Sequence, residues 1–210
     1  MIFQERDAEI LQWINGFGFA SAEQIRRFMR VNPATAYRRI KKLVEGGYLE
    51  RGRILHGQAR IHRVTRKGTK ISGDALPPLT DINFGTFRHD LVLVDLALTL
   101  EEQTGGVFTP DRRIRHHEGL IGVGLRGHVA DGYLHIGEDE PIAIELELTV
   151  KSRGRIRAIV KKYSSNLSIK EVWYYTDRAD VTRAIEEAAS RFSFVKVRGL
   201  TDTLQEGKAA

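Results

Sequence analysis

Residues 128–152 have the sequence HVADGYLHIGEDEPIAIELELTVKS, in which isolated acidic residues interrupt two apolar segments. Alternation in IAIELELTV predicts a β-strand that carries Glu145 and Glu147 on one face, roughly 7 Å apart. The segment HVADGYLHI alternates in the same way and places Asp131 on one face of a second strand. If the two strands are neighbours in a sheet, the carboxylates of Asp131 and Glu145 converge.

Many nucleases hold a divalent cation with two carboxylates on adjacent strands, because such a cation prefers hard oxygen ligands. The bound cation lowers the pKa of a water molecule and neutralises charge that develops on the scissile phosphate. A simpler alternative is that Glu145 and Glu147 form the solvated face of a half-exposed strand. For Asp131, the adjacent Gly132 offers a strand end or a bulge as the explanation.

Composition limits the class of protein. With 41% apolar and 29% charged residues, the 210 residues suffice for one large domain or two small ones. The chain has no cysteine, which excludes disulfides, thiolate zinc sites and thiol nucleophiles. The histidines at positions 116, 117, 128 and 135 lack the spacing of a zinc motif, so we interpret them as ordinary polar residues. The sequence shows neither a membrane-spanning apolar run nor the pattern of a secretory signal, so we expect a cytoplasmic protein.

Positive charge is concentrated at the N-terminal end of the chain. The net charge is +6, and residues 1–70 hold 15 Lys and Arg against 6 Asp and Glu, a net charge of +9. Residues 71–210 hold 18 against 21, a net charge of −3. This asymmetry predicts a polyanionic partner for the N-terminal part.

The first seventy residues contain three helical patterns followed by two strand-like segments. Ser21 and Gln24 form a capping box before the second helix, and Asn32-Pro33 begins the third. The segments YLERGRIL and RIHRVTRKG are predicted to form a hairpin through residues 56–59. Together these elements predict a winged helix-turn-helix, and LVEGGYLERGR followed by VTRKG resembles bacterial winged-helix regulators. In those proteins the third helix enters the major groove and the wing contacts the DNA backbone.

The predicted third helix has a strongly basic outer face. A helix that reads bases needs cations near the phosphates and short polar groups near its N-terminus. The predicted base-reading residues are Thr35, Tyr37, Arg38 and Arg39. The predicted phosphate contacts are Lys41, Lys42, Arg51, Arg53 and Arg60. The alternative is a solvated basic helix in a winged-helix module that binds proteins.

The rest of the chain predicts a linker and a second domain. We expect the winged helix-turn-helix over residues 1–72, a linker over 73–85, a second domain over 86–200 and a flexible tail over 201–210. The second domain begins with a buried helix that ends near Gly105. Strands are predicted in FTPDRRIRHH and over 127–136 and 141–150, a basic helix over 152–164, a strand at VWYY, a helix over 178–191 and a strand at FVKV. The fold class is therefore α+β or α/β, with a mixed sheet in the second domain.

This order of elements and the acidic positions resemble the PD-(D/E)xK restriction-endonuclease-like superfamily. Asp131, Glu145 and Glu147 match the acidic motif, but Ala130 stands where the family often has proline. Glu147 stands where the family expects lysine. Some members of the superfamily work with glutamate at this position, and in others the lysine lies elsewhere, a role that Lys151 or Lys161 would then serve. The resemblance implies a catalytic set of Asp131, Glu145, Glu147 and Lys161, with Asp131 and Glu145 as ligands of Mg²⁺ if the site is active. It is equally compatible with an inactive fold that binds without a cofactor.

A basic run follows the carboxylates, and two interpretations of it stay open. Its members are Lys151, Arg153, Arg155, Arg157, Lys161 and Lys162. They would provide a second phosphate contact beside the metal, or they are a solvated helix face. Tyr163 on the same helix would stack on a base or pack inside the protein.

The whole chain resembles the replication-relaxation family and the related MobC class of plasmid mobilisation proteins. The resemblance rests on the N-terminal winged helix, on His89-Asp90-Leu91 and on a nuclease-like core followed by Lys-Lys-Tyr at 161–163. It implies a protein that binds a specific double-stranded site on mobile-element DNA, with other proteins of a DNA-processing complex and a homodimer as further partners. The alternatives are a Mg²⁺-dependent DNA nickase or endonuclease, and a transcriptional regulator whose second domain senses a ligand or dimerises.

Overall fold

The computed structural model describes residues 3–52, 60–119, 128–149 and 151–209. The chain forms two compact units, of which one extends to Val94 and the other begins at Asp95. The division lies inside a helix, Phe87–Thr104, whereas the sequence placed a linker over residues 73–85. Each unit combines helices with its own sheet.

The first unit contains mainly helices and a small antiparallel sheet. Its described elements are α1 (Glu5–Phe17), β1 (Ala20–Ser21), α2 (Ala22–Met29), α3 (Pro33–Glu45), β2 (Leu49–Gly52), β3 (Ile61–Val64) and α4 (Arg66–Ser72). Within the described ranges, the sheet order is β1-β3-β2. The helices α1 to α3 and the strands β2 and β3 confirm the predicted elements, but the predicted strand RIHRVTRKG ends at Val64 and its last residues belong to α4. Neither β1 nor α4 was predicted. The predicted loop at residues 56–59 lies outside the described residues.

Local signals in the sequence determine where α2 and α3 begin. The Ser21 hydroxyl accepts a hydrogen bond from the Gln24 N–H at 3.2 Å, and the Gln24 side chain accepts one from the Ser21 N–H at 2.9 Å. The Asn32 side chain accepts a hydrogen bond from the Thr35 N–H at 2.9 Å. Both interactions satisfy backbone donors that have no partner within the first helical turn. The predicted capping box and the predicted start of α3 are therefore confirmed.

The segment after α4 packs against the first unit. Residues 73–86 contain neither helix nor strand, but the Leu76 side chain is fully buried. The Asn15 side-chain amide donates to the Leu76 carbonyl at 2.7 Å and to the Asp74 carboxylate at 2.9 Å. A small apolar cluster joins Phe19 and Phe87 to Leu79, Ile82, Ile61 and Leu91. The segment predicted as a linker is thus held in place by burial and hydrogen bonds.

The second unit is built around a mixed sheet. Beyond α5 (Phe87–Thr104), which both units share, its described elements are β4 (Val107–Pro110), α6 (Asp111–His117), β5 (Gly132–His135), β6 (Ile142–Leu146), α7 (Arg153–Ser164), β7 (Glu171–Tyr175), α8 (Ala179–Ala189), β8 (Val195–Arg198) and α9 (Leu200–Ala209). Among the described residues, five strands follow the order β4-β5-β6-β7-β8. The pairs β4–β5 and β5–β6 are antiparallel, and β6–β7 and β7–β8 are parallel. The predicted mixed sheet is therefore confirmed.

Two elements of the second unit differ from the prediction. FTPDRRIRHH was predicted as a strand, but the strand stops at Pro110 and residues 111–117 form α6, whose first N–H donates to the Asp131 carbonyl at 3.0 Å. The tail predicted as flexible over residues 201–210 contains most of α9 instead. The Asp177 carboxylate accepts hydrogen bonds from the Thr201 N–H at 2.9 Å and the Thr201 hydroxyl at 2.7 Å, and Leu200 is buried. These interactions cap and anchor the helix.

A buried histidine in β3 makes the stability of the first unit sensitive to acid. The His62 side chain is 3% exposed, and within the described part of the chain its Nδ1 has no hydrogen-bond partner. Burial lowers the pKa of His62 from 6.5 to about 4, and the Arg51 charge acts in the same direction. The folded state therefore keeps the ring neutral at a pH where the unfolded chain takes up a proton.

We expect His62→Gln to remove this dependence of stability on pH, because glutamine is a polar side chain of similar size that does not titrate. Wild-type stability is complete above pH 6.5 and falls as the pH drops from 6.5 towards 4. The loss that belongs to His62 is on the order of 2 to 3 kcal/mol. Urea unfolding of both proteins across this range measures the difference. Parallel pH profiles for the two proteins would contradict the prediction.

Candidate functional site

The two strands that carry the predicted carboxylates are neighbours. β5 and β6 are antiparallel, with Gly132 opposite Ile144. Asp131 immediately precedes β5, and its carboxylate accepts a hydrogen bond from the Leu146 N–H at 2.8 Å. Gly132 is required for packing, because a Cβ there would lie 2.1 Å from the Phe108 ring. Asp131 is therefore held beside the end of β6.

The Glu145 carboxylate lies inside the protein. Its side chain is 0% exposed, so the alternative of a solvated strand face is wrong. Oε1 accepts a hydrogen bond from the Tyr163 hydroxyl of α7 and lies 2.5 Å from Nε2 of His128. Oε2 is buried and has no partner among the described residues. Burial raises the pKa of Glu145, and the nearby Asp131 charge adds to the effect.

Glu147 occupies the position where the family motif has lysine. The strand predicted to extend to residue 150 ends at Leu146, and the Glu147 N–H donates to the Tyr175 carbonyl at 2.9 Å. The Glu147 carboxylate is 4% exposed and forms an ion pair with Lys151. Burial raises the pKa of Glu147, while Lys151 opposes that rise. The lysine beside the carboxylates is therefore Lys151.

The residues of α7 that contact His128 and Glu145 are Lys162 and Tyr163, and not the predicted Lys161. Lys161, predicted as the replacement for the motif lysine, is exposed to solvent. The neighbouring Lys162 donates to the His128 carbonyl at 2.5 Å, and Tyr163 is 8% exposed and packs inside the unit. Sequence reasoning missed His128, because its contacts with α7 and Glu145 join residues far apart in the chain. No local signal near His128 indicates them.

The three predicted carboxylates are engaged by donors within the protein. No group of three or more His, Asp or Glu side chains in the described ranges is arranged to hold a metal ion. Oxygens of Asp131, Glu145 and Glu147 accept hydrogen bonds from protein donors. The buried hydroxyl of Tyr174, the residue paired with Glu145 across β6 and β7, has no hydrogen-bond partner among the described residues. Glu145 and Glu147 therefore lie inside the protein, where donors of the chain engage them.

The predicted recognition helix, α3, has one exposed polar face. Ala36, Ile40 and Leu43 are buried in the core of the first unit. The exposed side chains on the opposite side are Thr35, Tyr37, Arg38, Lys41 and Lys42. Lys41 faces Glu45 at 3.7 Å, but Arg38 and Lys42 form no ion pair with any described residue. Uncompensated cations therefore remain on this face.

Arg39, predicted as an outward base-reading residue, points inward instead. Its side chain is 17% exposed and forms an ion pair with Asp7 of α1, whose side chain is 1% exposed. Arg39 follows Ala36 by three positions and precedes Leu43 by four, so it lies beside the buried face of α3. Asp7 precedes Leu11 by four positions and Ile14 by seven, so it lies on the buried face of α1, and these spacings were the signal in the sequence. Arg39 joins α3 to α1 and is not available to a partner.

The predicted phosphate contacts in the hairpin are partly described. Arg51 of β2 and Arg60, just before β3, are exposed. β2 pairs with β3 over residues 49–52 and 61–64, so these two arginines lie towards the same end of the ribbon. Arg53 lies outside the described residues. The described part of the hairpin thus carries exposed cations.

The chain matches no protein-family model, and a search of curated proteins finds no matching relative. None of the described helices has the length and apolar character needed to cross a membrane. The proposed function therefore depends on the residues themselves and on their geometry.

Arg39→Ala should destabilise the first unit, because it leaves the Asp7 carboxylate buried without its cation. The expected loss is about 3 kcal/mol in the free energy of unfolding. Adding Asp7→Asn to Arg39→Ala should recover part of that loss, because it removes the uncompensated charge. The matched control is Arg38→Ala on the exposed face, which should change stability by less than about 0.5 kcal/mol. Equal losses for Arg38→Ala and Arg39→Ala in urea unfolding would contradict the structural role.

Proposed function

We propose that the chain is a cytoplasmic, sequence-specific double-stranded DNA-binding protein of a mobile element, of the plasmid mobilisation or replication type. In this proposal the first unit is a winged helix-turn-helix whose α3 reads the major groove. The second unit has a nuclease-like fold that binds DNA or a partner protein. The exposed face of α3 is the observation that carries the proposal.

Several features of α3 support a role in reading DNA. Its thirteen residues span about 20 Å, a length that the major groove accommodates. Asn32 caps its exposed N-terminal end, where Thr35 and Arg38 would meet base edges. Arg39 fixes the rotation of α3 against α1 through Asp7, which keeps the cationic face turned outward. A helix that is fixed in this way loses little conformational freedom on binding.

The hairpin and the charge distribution also support DNA binding. The antiparallel pair β2–β3 follows α3 in the order expected for a wing, and Arg51 and Arg60 are exposed on it. The net charge of +9 on residues 1–70 favours a polyanion, because bound cations release counterions from the DNA phosphates. The resemblance to the replication-relaxation family implies that the bound DNA is a site on a mobile element.

The topology of the second unit supports a nuclease-like fold. The order helix, antiparallel β4–β5–β6, helix α7 and parallel β7 matches the arrangement that the resemblance implies. Asp131 immediately precedes β5 and Glu145 lies on β6, but hydrogen bonds within the protein engage both. We therefore propose that this unit acts as a binding platform.

Arg38→Ala combined with Lys42→Ala should weaken binding to duplex DNA by roughly 10-fold or more, because it removes the uncompensated cations of α3. Fluorescence anisotropy with a labelled duplex measures the affinity. The matched control is Arg66→Ala combined with Lys70→Ala on α4, which removes the same charge from exposed positions. If both double variants lose affinity equally, net charge alone explains the binding and α3 is not the reading helix.

Incubating supercoiled plasmid with the protein and Mg²⁺ or Mn²⁺ should leave the plasmid intact, because Glu145 is fully buried and engaged by Tyr163. Agarose electrophoresis detects nicked circles. Metal-dependent nicking that Glu145→Ala abolishes, while Glu140→Ala at an exposed position retains it, would establish the nickase alternative and contradict the binding-platform proposal.

A further inference from the structure

A long cationic segment lies in the otherwise acidic part of the chain. Residues 148–170 contain seven Lys and Arg and no Asp or Glu, whereas residues 71–210 as a whole have a net charge of −3. Most of these cations belong to α7 or to the residues just before it. Because this segment contains no acidic residue, the counter-charges for its cations must come from elsewhere in the protein, from ions in solvent or from a partner.

One flank of α7 is partly neutralised within the second unit. The helix buries Ile156, Ile159, Val160 and Tyr163 against the sheet. On one side of this buried face, Arg157 and Arg153 lie 2.7 Å and 3.7 Å from the Glu187 carboxylate of α8. These two arginines share one acidic partner, so this flank is tied to α8.

The other flank of α7 carries cations without an acidic partner. Arg155 and Lys162 are seven residues apart, so they lie on the same side of the helix and about 10 Å apart along its axis. Both are exposed, and neither forms an ion pair with a residue that the structure describes. Lys162 is nevertheless held in place, because its ammonium donates to the His128 carbonyl at 2.5 Å. A neutral carbonyl orients the side chain without cancelling its charge.

We propose that the Arg155–Lys162 flank of α7 is a second DNA contact, which binds phosphates of the duplex backbone. The inference rests on the proposed function, since it assigns the second unit to the DNA that α3 reads. Phosphates are the favoured ligand because two exposed cations on one side of a helix bind repeated negative charge without discriminating between bases. A contact on each unit of one chain also increases the overall affinity for one polyanion.

The test measures how the affinity of the full-length chain for a labelled random-sequence duplex depends on salt. Each phosphate contact adds about 0.9 to the slope of log affinity against log salt concentration. Arg155→Gln combined with Lys162→Gln should therefore reduce the magnitude of the slope by about 2. The matched control is Arg153→Gln combined with Arg157→Gln, which removes the same charge from the flank paired with Glu187 and should reduce the slope by much less. Arg155→Lys combined with Lys162→Arg should retain the wild-type slope.

The outcomes separate this inference from the proposed function. An unchanged slope for the Arg155 and Lys162 double variant overturns the α7 contact. Equal reductions for the two flanks also overturn it, because they indicate an effect of net charge. If Arg38→Ala combined with Lys42→Ala still weakens binding in either case, the proposed role of α3 is retained without the α7 contact. A wild-type protein that does not bind duplex DNA overturns both.

Discussion

Burial of the Glu145 carboxylate beneath α7 is the constraint on which the second unit depends. A charged carboxylate removed from water is strongly destabilising, so the protein must supply donors or keep the group protonated. Tyr163 from α7 and His128 from the residues before β5 meet at the same oxygen. This polar contact joins β6 to two segments that are distant in sequence. It also determines which cations of α7 remain on the surface.

The first unit has an analogous interaction between α1 and α3. Asp7 is buried, and Arg39 provides its counter-charge from the border of the buried face of α3. Because α3 is fixed at this point, its opposite side presents Arg38 and Lys42 to solvent. In each unit a buried acidic residue therefore holds a helix whose other cations face outward. The proposed function uses those outward cations as contacts with DNA.

Local patterns in the sequence predicted much of the fold but only part of the candidate site. The caps at Ser21 and Asn32 and the helical periodicity located α2 and α3, since both depend on residues close in sequence. Glu145 was correctly placed on a strand whose neighbour is β5, whereas Asp131 lies just before β5 rather than on it. The inward position of Arg39 and the role of His128 were missed, because each is determined by a partner on another element. α9 was missed for the same reason, since its cap is Asp177.

Selection of binding sites from a randomised duplex library separates sequence-specific recognition by α3 from binding by charge alone. We expect the wild-type protein to enrich one motif, and Thr35→Ala combined with Tyr37→Ala to relax some positions of that motif. Folded protein that binds the library without enriching any motif would contradict the account. The same motif recovered after removal of the exposed α3 side chains would also contradict it.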